Sequence, residues 1–475
     1  MTLKILNSES KKLEEFKPLN KNKVNFYQCG PTLYWTQHIG NLRAVVMSDL
    51  INRTLKYLGY ETNFVRDYTD VGHLSGDNHG DADHGEDRME KASRRENLQP
   101  LEIADKYKKE YEIDIKKMNT IFPTHTPEAT KYIPEMQKMI SELLEKGSAY
   151  STPLAIYFDV SKATHYHRLT NQTLEKNISG AGSGEVRDSD KKNPEDFALW
   201  FFKAGSHRNA LQTWDSPFQS NLVENGKGFP GWHIECSAMG RKLCGNTLDI
   251  KMGGIEHKSI HHTNEIAQSE SANGEKYVNY WVHNEHLLVD DKKMSKSDGT
   301  SYSLSDIEKK GFSASDLRYF FLQAHYRSKQ NFTWESLEAS KTAREKLISK
   351  LKTFETGGGI SKEWKEKFIQ EISEDFSIPQ GLALVWEILK SNLPGKDKRS
   401  TILNFDEVLG LDLKNEILRK KTEIEVSEEI YEFLKERKLA RENKDWKKSD
   451  EIRDKIQSLG FEIKDINGEQ ILEKK

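Results

Sequence analysis

The pattern of apolar positions near the start of the chain predicts a strand, a helix and a second strand. Residues 24–28 and 62–65 are short runs rich in apolar and aromatic side chains. Between them, residues 42–58 have the spacing of an amphipathic helix, and Gly59 follows at the position where a glycine commonly ends a helix. A β-α-β unit of this kind opens a parallel sheet of the nucleotide-binding type.

The pattern further along predicts an α/β protein whose parallel sheet is interrupted. Helical spacing covers residues 98–118, whereas residues 121–225 mix short apolar runs with polar loops and indicate an insertion. Runs typical of parallel-sheet strands return at 247–250 and 285–289. We therefore expect a doubly wound, Rossmann-type parallel sheet that is split by an inserted domain.

Beyond about residue 330 the pattern changes to long helical segments rich in lysine and glutamate. The glycines at 357–359 interrupt these segments and predict a flexible joint, and the segment from 427 onward is basic and helical. The predicted domain limits are 1–120 and 226–330 for the two halves of the sheet domain, 121–225 for the insertion, 331–422 for a helical bundle and 423–475 for a small C-terminal domain.

Composition narrows the class of protein. Of the 475 residues, 35% are hydrophobic and 31% are charged, as in folded domains with a strongly solvated surface. No segment reaches the roughly 18 consecutive apolar residues of a membrane span, and the N-terminus has no hydrophobic signal core. We therefore expect a cytoplasmic protein with no membrane partner. The net charge of −3 still allows nucleic-acid binding, because phosphate contacts need only a local basic face.

Two short motifs predict the halves of one nucleotide site. The first, His-Ile-Gly-Asn, runs from His38 through Gly40 to Asn41 at the start of the first helix, where backbone N–H groups and the helix dipole favour phosphate. The second, Lys-Met-Ser-Lys-Ser, begins at Lys293 and contains Lys296, so it offers two ammonium groups to a phosphoryl centre. Either motif alone could arise by chance or as a polar loop. Together, in this order, they indicate a nucleotide site.

Three cysteines, an odd number, argue against a disulfide framework and leave room for metal chemistry. Cys29 ends the first predicted strand, Cys236 lies far downstream, and His261 with Glu265 are spaced i, i+4 on one helix face. Two thiolates, an imidazole and a carboxylate form a competent tetrahedral zinc set. Taken singly, such residues are more often buried thiols or satisfied core histidines. The rival ligands that spacing leaves open are His257, His262 and Cys244.

Three other patterns have simpler explanations. Residues 77–83 resemble a calcium loop, but Ala82 and Arg88 stand where that loop requires glycine and glutamate, so a solvated acidic loop is expected. The glycine-rich run at 180–184 follows no strand and predicts a flexible connection. The basic tail is equally consistent with a solvated helix face and with RNA binding.

Several separated motifs extend over nearly the whole chain. They are residues 29–32, 38–41, 214–217, 230–237, 261–268, 293–297, 325–327 and 445–453, together with Trp200. In this combination the chain resembles the cysteinyl-tRNA synthetases. The resemblance implies a class I synthetase: a Rossmann catalytic domain split by a connective domain, a helical region, and a small anticodon-binding domain at the C-terminus.

The resemblance also implies roles for individual residues. Cys29, Cys236, His261 and Glu265 would hold one zinc ion that the thiolate of the substrate contacts. The other implied roles are an amino-acid pocket of Gly30, Thr69 and Trp232, contacts to ATP from His38, Gly40, Asn41, Gly254, Glu256 and Lys296, and catalysis at the α-phosphate by His38, Asn41, Lys293 and Lys296. The implied partners are L-cysteine, ATP with Mg²⁺, and the tRNA for cysteine, bound by a monomer.

The chain departs from the family's pattern at three places. Glu256 stands where the family has aspartate, residues 71–76 replace an acidic stretch, and residues 469–471 stand where the family has a tryptophan. A cysteine ligase of low-molecular-weight thiol biosynthesis would resemble the same catalytic domain, but it would lack a developed region after residue 330. A non-catalytic RNA-binding protein with a relic site is the other alternative, and retention of both nucleotide motifs argues against it.

Overall fold

The computed structural model forms two compact units, Met1–Leu413 and Lys414–Lys475. It describes residues 2–72, 87–170, 190–294, 299–419, 428–466 and 469–474. Lys296, the acidic loop at 77–83 and the glycine run at 180–184 lie outside these residues. No helix in the described part of the chain has the length and apolarity to cross a membrane.

The first unit contains thirteen strands and twelve helices of the described part. The strands are β1 (Lys4–Asn7), β2 (Lys12–Glu15), β3 (Lys23–Gln28), β4 (Glu61–Arg66), β5 (Ala149–Ser151), β6 (Ala155–Phe158), β7 (Phe197–Phe202), β8 (Gly228–Pro230), β9 (Leu248–Gly254), β10 (Val278–Asn284), β11 (Leu287–Val289), β12 (Lys292–Lys293) and β13 (Gln330–Phe332). The helices are α1 (Ile39–Tyr57), α2 (Arg88–Glu96), α3 (Pro100–Lys117), α4 (Ile133–Glu145), α5 (Trp232–Cys244), α6 (His261–Asn273), α7 (Leu304–Lys309), α8 (Ala314–Leu322), α9 (Trp334–Lys352), α10 (Lys362–Ser373), α11 (Ile378–Lys390) and α12 (Gly395–Leu409).

The predicted β-α-β unit is confirmed as β3, α1 and β4. The side chain of His38 caps α1 by accepting a hydrogen bond from the backbone N–H of Asn41, and Gly59, with φ of +93°, follows the helix. Four parallel strands make the central sheet in the order β10-β9-β3-β4. Since the chain leaves β3 to form β4 on one side and returns as β9 on the other, ligands are expected beyond the carboxyl ends of β3 and β9.

An antiparallel sheet interrupts the parallel one, as predicted. It has the order β5-β6-β7-β8 and lies in the chain between β4 and α5. All six residues of β7 are buried, including Trp200, which explains why this segment is a continuous aromatic and apolar run. The interruption of the Rossmann-type sheet is therefore confirmed, while the individual domain limits stay predictions.

The assignment of residues 285–289 to the central parallel sheet is wrong. The strand at that edge is β10, and β11 belongs to a separate sheet in which it pairs parallel to β13 and antiparallel to β12. The segments that form β10 and β11 are both short runs with apolar residues, so their periodicity does not identify the sheet that each one joins. The N-terminal hairpin of β1 and β2 is another element that the sequence pattern did not predict.

Of the glycines at 357–359, Gly358 is closely packed. A Cβ atom at Gly358 would lie 2.2 Å from the backbone carbonyl carbon and oxygen of Lys396. The N–H of Gly359 donates to a carboxylate oxygen of Asp397 at 2.8 Å. Gly358 is therefore required by the close approach of the start of α12, whereas the flexible joint stays a prediction.

The second unit combines helices with a hairpin. It comprises α13 (Leu413–Leu418), which begins at the boundary, α14 (Glu428–Glu442), α15 (Trp446–Ser458), β14 (Phe461–Ile466) and β15 (Glu469–Lys474). The guanidinium of Arg437, a buried residue on α14, binds Asp465 on β14 at 2.8 and 3.0 Å. The tail is helical as predicted up to α15, whereas its closing hairpin was not anticipated.

The packing of Gly358 can be tested by substitution. Gly358→Ala should lower the free energy of unfolding by about 1–3 kcal/mol, because the new methyl group overlaps backbone that cannot yield cheaply. Gly359→Ala is the matched control, since its Cβ would meet only an Asp397 oxygen at 4.0 Å. Urea unfolding measures both. Equal midpoints for the two variants would mean that residues 357–359 are a loose joint after all.

Candidate active site and metal cluster

The candidate site lies at the carboxyl ends of three neighbouring parallel strands. Cys29 and Gly30 directly follow β3, and the N–H of Cys29 donates to the carbonyl oxygen of Met252 on β9 at 3.1 Å. Asp67 follows β4, and a Cβ at Gly30 would lie only 1.7 Å from its carbonyl oxygen. Glycine is therefore the residue that permits these two strand ends to approach each other.

Four donor atoms from distant parts of the chain meet here. Cys29, Cys236 on α5, and His261 and Glu265 on α6 each offer one ligand atom, and these atoms all lie within 4.8 Å of one another. The two sulfurs are 3.9 Å apart. Two sulfurs bound to one tetrahedral zinc ion at about 2.3 Å would be about 3.8 Å apart. The donor set and its spacing therefore fit a tetrahedral metal ion.

Helix α6 presents its two donors as their spacing predicts. The Nε2 atom of His261 lies 3.1 Å from Oε1 of Glu265 one turn later, and both side chains are buried. The other ring nitrogen of His261 lies 3.0 Å from Nδ1 of His233, which fixes the orientation of the ring. Burial alone would lower the pKa of His261, but the Glu265 carboxylate and Cys29 outweigh it and raise that pKa to about 10.

A buried lysine accompanies the cluster. Lys251, in the middle of β9, forms an ion pair with Oε2 of Glu265, and both side chains are 0% exposed. Burial would raise the pKa of Glu265, yet the charge of Lys251 lowers it. Burial would likewise raise the pKa of Cys29, whereas its hydrogen bond with Cys236 and the charge of Lys251 bring it well below the usual value. Lys251 thus favours the charged forms of Cys29 and Glu265, whereas the hydrogen bond with Cys29 and burial raise the pKa of Cys236 well above its usual value.

Asp67 and Tyr27 contact the cluster from the side of β3 and β4. The Sγ atom of Cys236 lies 2.9 Å from Oδ2 of Asp67, which also accepts a hydrogen bond from the Tyr27 hydroxyl at 2.7 Å. Burial raises the pKa of the Asp67 carboxyl. Tyr27 and Asp67 therefore belong to the polar surroundings of the cysteine pair.

The rival ligands divide into two cases. Cys29, His257 and His262 form a second group of donors, in which His262 Nε2 lies 3.5 Å from the Cys29 sulfur. The Nδ1 atom of His262 lies 2.8 Å from His283, and burial lowers the pKa of His262 to about 4, so its ring is neutral. Cys244 belongs to neither group of described donors, and burial raises its pKa to about 12.

The three residues of the expected amino-acid pocket lie next to a donor of the cluster or next to its neighbour in the chain. The ring of Trp232 lies over that of His261, with 4.4 Å between their centroids. The Thr69 hydroxyl donates to Glu235 at 3.4 Å, and the strand ends at Thr32 and Thr69 pair with each other. Gly30 directly follows Cys29 in the chain.

The two nucleotide motifs meet at the N-terminus of α1. His38 caps this helix, and the exposed amide of Asn41 donates to Gln37 at 2.5 Å. A Cβ at Gly40 would lie 2.2 Å from the terminal methyl of Met294, so the residue after Lys293 packs directly against the first motif. Lys293 itself is exposed on β12. Lys296, its partner in the sequence motif, is outside the described residues.

The expected ribose region follows β9. Gly254 is buried at the end of that strand, and Glu256 lies in a short 3₁₀ helix, Ile255–Lys258, with its side chain 53% exposed. A Cβ at Gly254 would meet the carboxylate of Glu256 at 2.2 Å. The Glu256 carboxylate therefore folds back over the strand end.

Sequence reasoning missed Lys251, Asp67 and Tyr277, which contact the four donors. A usable signal existed for Lys251, because it is the one cation inside a strand whose seven residues are all buried. A lysine at such a position requires an anionic partner. Asp67 and Tyr277 carried no comparable signal.

The metal-binding capacity of the four donors can be tested with the cysteines. Replacing a residue that hydrogen-bonds to a metal ligand typically lowers metal affinity roughly 10- to 100-fold. Cys236→Ser should reduce zinc affinity by more than that, because it removes a thiolate ligand itself. Cys244→Ser should leave it unchanged and serves as the matched control. Competition with a chromophoric chelator measures both. Equal affinities in the two variants would exclude Cys236 as a ligand.

Two sequence profiles match the chain. The profile for tRNA synthetases class I (C) catalytic domain matches residues 15–342, and the profile for the cysteinyl-tRNA ligase anticodon binding domain matches residues 424–471. Among solved structures, methionyl-tRNA synthetase of Mycobacterium tuberculosis bound by methionyl-adenylate is similar in fold, with a TM-score of 0.54 and 12% identity over 84% of this chain and 92% of that chain.

Curated relatives match over nearly their whole length. Cysteine–tRNA ligase of Treponema denticola is 39% identical over 98% of this chain and 99% of its own. Cysteine–tRNA ligase 1 of Burkholderia lata is 39% identical over 98% and 95%, and the Brachyspira hyodysenteriae enzyme is 37% identical over 97% and 96%. The chain belongs to the cysteine–tRNA ligase family of class I aminoacyl-tRNA synthetases.

Proposed function

We propose that this protein is a cysteine–tRNA ligase that activates L-cysteine with ATP and transfers it to the 3′-terminal ribose of the tRNA for cysteine. The observation that carries the proposal is the four-donor cluster beside Gly30, after β3, the strand that the chain follows with the His38 motif at the start of α1. A metal site with soft thiolate ligands next to a nucleotide motif suits a substrate that is recognised by its sulfur.

Zinc in this cluster would supply a soft Lewis acid that binds the sulfur of the substrate as a thiolate. Cys29, Cys236, His261 and Glu265 would hold it, and Thr69 with Trp232 would enclose the amino acid. Serine differs only by oxygen for sulfur, so pocket size separates the two poorly, and rejection by about 10⁴ requires about 5.5 kcal/mol. Recognition through sulfur can provide that difference without an editing domain.

The first step forms cysteinyl-adenylate. A carboxylate oxygen of cysteine attacks the α-phosphorus of ATP, the new C–O–P bond forms, and the bond to the β-phosphate breaks with release of pyrophosphate. His38, Gly40 and Asn41 would bind the phosphates at the N-terminus of α1, where the helix dipole is positive. Lys293 and Lys296 would stabilise the charge that develops on the α-phosphate, and Mg²⁺ would accompany ATP.

The remaining contacts to ATP would come from the end of β9. The Glu256 carboxylate lies over Gly254 at this strand end, and because it is exposed it can accept hydrogen bonds from ribose hydroxyls. The side chain of Glu256 is one methylene longer than the aspartate usual in the family, and its folded-back position over Gly254 accommodates that length.

The second step transfers cysteine to tRNA. The terminal ribose hydroxyl attacks the adenylate carbonyl, an ester bond forms, and AMP leaves while the hydroxyl proton is lost. The second unit, whose α14 and α15 carry many lysines and arginines, would bind the anticodon region. This assignment is supported by the anticodon-domain profile over residues 424–471. We expect the enzyme to act as a monomer in the cytoplasm.

The proposal is tested most directly by two assays on the purified protein. We expect cysteine-dependent exchange of pyrophosphate into ATP, followed by charging of the tRNA that bears the cysteine anticodon. Serine should support neither reaction at comparable concentration. Exchange without tRNA charging would instead favour a ligase of thiol biosynthesis, and the absence of both would favour a relic site.

The role of Lys296 is tested by Lys296→Ala. Loss of one charge aimed at the reacting phosphate should lower the rate of exchange by about 10²–10³, since donors of this kind act mainly in the transition state. The KM for cysteine should change by much less. Lys292→Ala, which removes an exposed lysine of β12 directly before the motif, is the control and should retain the wild-type rate. Equal losses in rate and in cysteine binding would assign Lys296 to ground-state binding.

A further inference from the structure

The two oxygens of the Glu265 carboxylate have different surroundings. Oε1 faces the other donors, at 3.1 Å from His261 Nε2 and 3.8 Å from the Cys29 sulfur. Oε2 points the other way, where it accepts hydrogen bonds from the Lys251 ammonium and, at 2.8 Å, from the Tyr277 hydroxyl. A carboxylate held in this way can offer only one oxygen to an ion at the cluster.

Lys251 is well suited to hold that orientation. It lies on β9, the strand between β3 and β10, so its backbone is fixed by ladders on both sides. Its ammonium also lies 4.1 Å from the centroid of the Tyr27 ring and 3.3 Å from the Tyr277 hydroxyl. Because the side chain is fully buried, Glu265 has no competing water or surface cation at this oxygen.

We propose that Lys251 is a positioning residue for the metal centre, which binds Oε2 of Glu265 so that Oε1 alone is a ligand. The inference rests on the zinc site of the proposed function. It assigns to Lys251 a role in ligand geometry that the four donors cannot perform for themselves, since without Lys251 only the Tyr277 hydroxyl would hold Oε2 of Glu265 away from the ion.

The charge of Lys251 acts in the same direction. Two thiolates and a carboxylate carry three negative charges against the two positive charges of zinc, and a substrate thiolate would add a fourth negative charge. A buried cation next to Glu265 offsets this excess where the surroundings screen charge weakly. Lys251 therefore favours a site that holds three anionic ligands and still accepts an anionic sulfur.

The first test is the zinc affinity of Lys251→Met, which keeps the length and apolar volume of the side chain without the charge. We expect affinity to fall about 10- to 100-fold, as for other residues that orient metal ligands. Lys242→Met is the matched control, because Lys242 lies on the helix that carries Cys236 but pairs with Glu135 in solvent. Equal affinity of wild-type protein and Lys251→Met would overturn the proposal.

The second test asks whether Lys251 acts through Glu265. In the Glu265→Gln background, Lys251→Met should change zinc affinity by less than about twofold, whereas in the wild-type background it should cause the full loss. With Co²⁺ as the probe, Lys251→Met should weaken the visible absorption typical of a four-coordinate site, since a carboxylate held at Oε2 by the Tyr277 hydroxyl alone can turn to bind through both oxygens. An equal loss in both backgrounds, or an unchanged cobalt spectrum, would overturn the proposal.

Two further comparisons keep the outcome decisive. If Lys251→Met does not fold, Lys251→Met/Glu265→Gln replaces it, because it leaves no unpaired buried charge. This double variant and Glu265→Gln should then bind zinc equally, and a tenfold difference would count against the proposal. Failure of the proposed function is recognised separately: wild-type protein would then not charge the tRNA, whereas failure of this inference leaves both charging and zinc binding by wild-type protein intact.

Discussion

The pairing of β3 with β9 is the interaction on which the site depends. It is a parallel pairing in which Gln28 lies opposite Met252, and it brings the end of one strand beside the end of another. Cys29 and Glu265 are 236 positions apart in the chain, yet their side chains meet because Cys29 directly follows β3 and Glu265 lies on α6, which the chain forms after β9. The insertion can be long because the chain leaves the parallel sheet after β4 and returns to it at β9 without disturbing this register.

The cost of the site is the burial of charge. Lys251, Glu265 and His261 are fully or almost fully buried, and each is stable there only because the others satisfy it. Breaking one buried pair leaves an uncompensated charge, which typically costs about 3–5 kcal/mol. A core of ordinary apolar residues would be cheaper for stability. The network is therefore best explained by what it binds rather than by what it contributes to folding.

Local patterns predicted the parts of this molecule that depend on local chemistry. The strand-helix-strand unit follows from periodicity, and the approach of His261 to Glu265 follows from the helical repeat. The sheet joined by β11 and the packing of Gly358 against Lys396 depend on partners far away in the chain, which one sequence does not identify. The same limit hid the pairing of Lys251 with Glu265, although a lysine in a buried strand was visible as an anomaly.

Arg43 connects α1, which begins at the first nucleotide motif, to the segments around β13 and β11, the strand that leads to the second motif. Its guanidinium donates to the carbonyl oxygens of Glu285 and Ser328 at 2.5 and 2.9 Å and to the Gln330 side chain at 3.0 Å. Burial lowers the pKa of Arg43 to about 10, so it stays charged at neutral pH. Glu285 precedes β11, Ser328 precedes β13, and Gln330 is the first residue of β13, which pairs with β11. β11 also pairs with β12, the strand that carries Lys293. The described part of the second motif is thus anchored to the helix that carries the first. The spacing between α1 and the β11–β12 hairpin is therefore set by folding rather than by substrate.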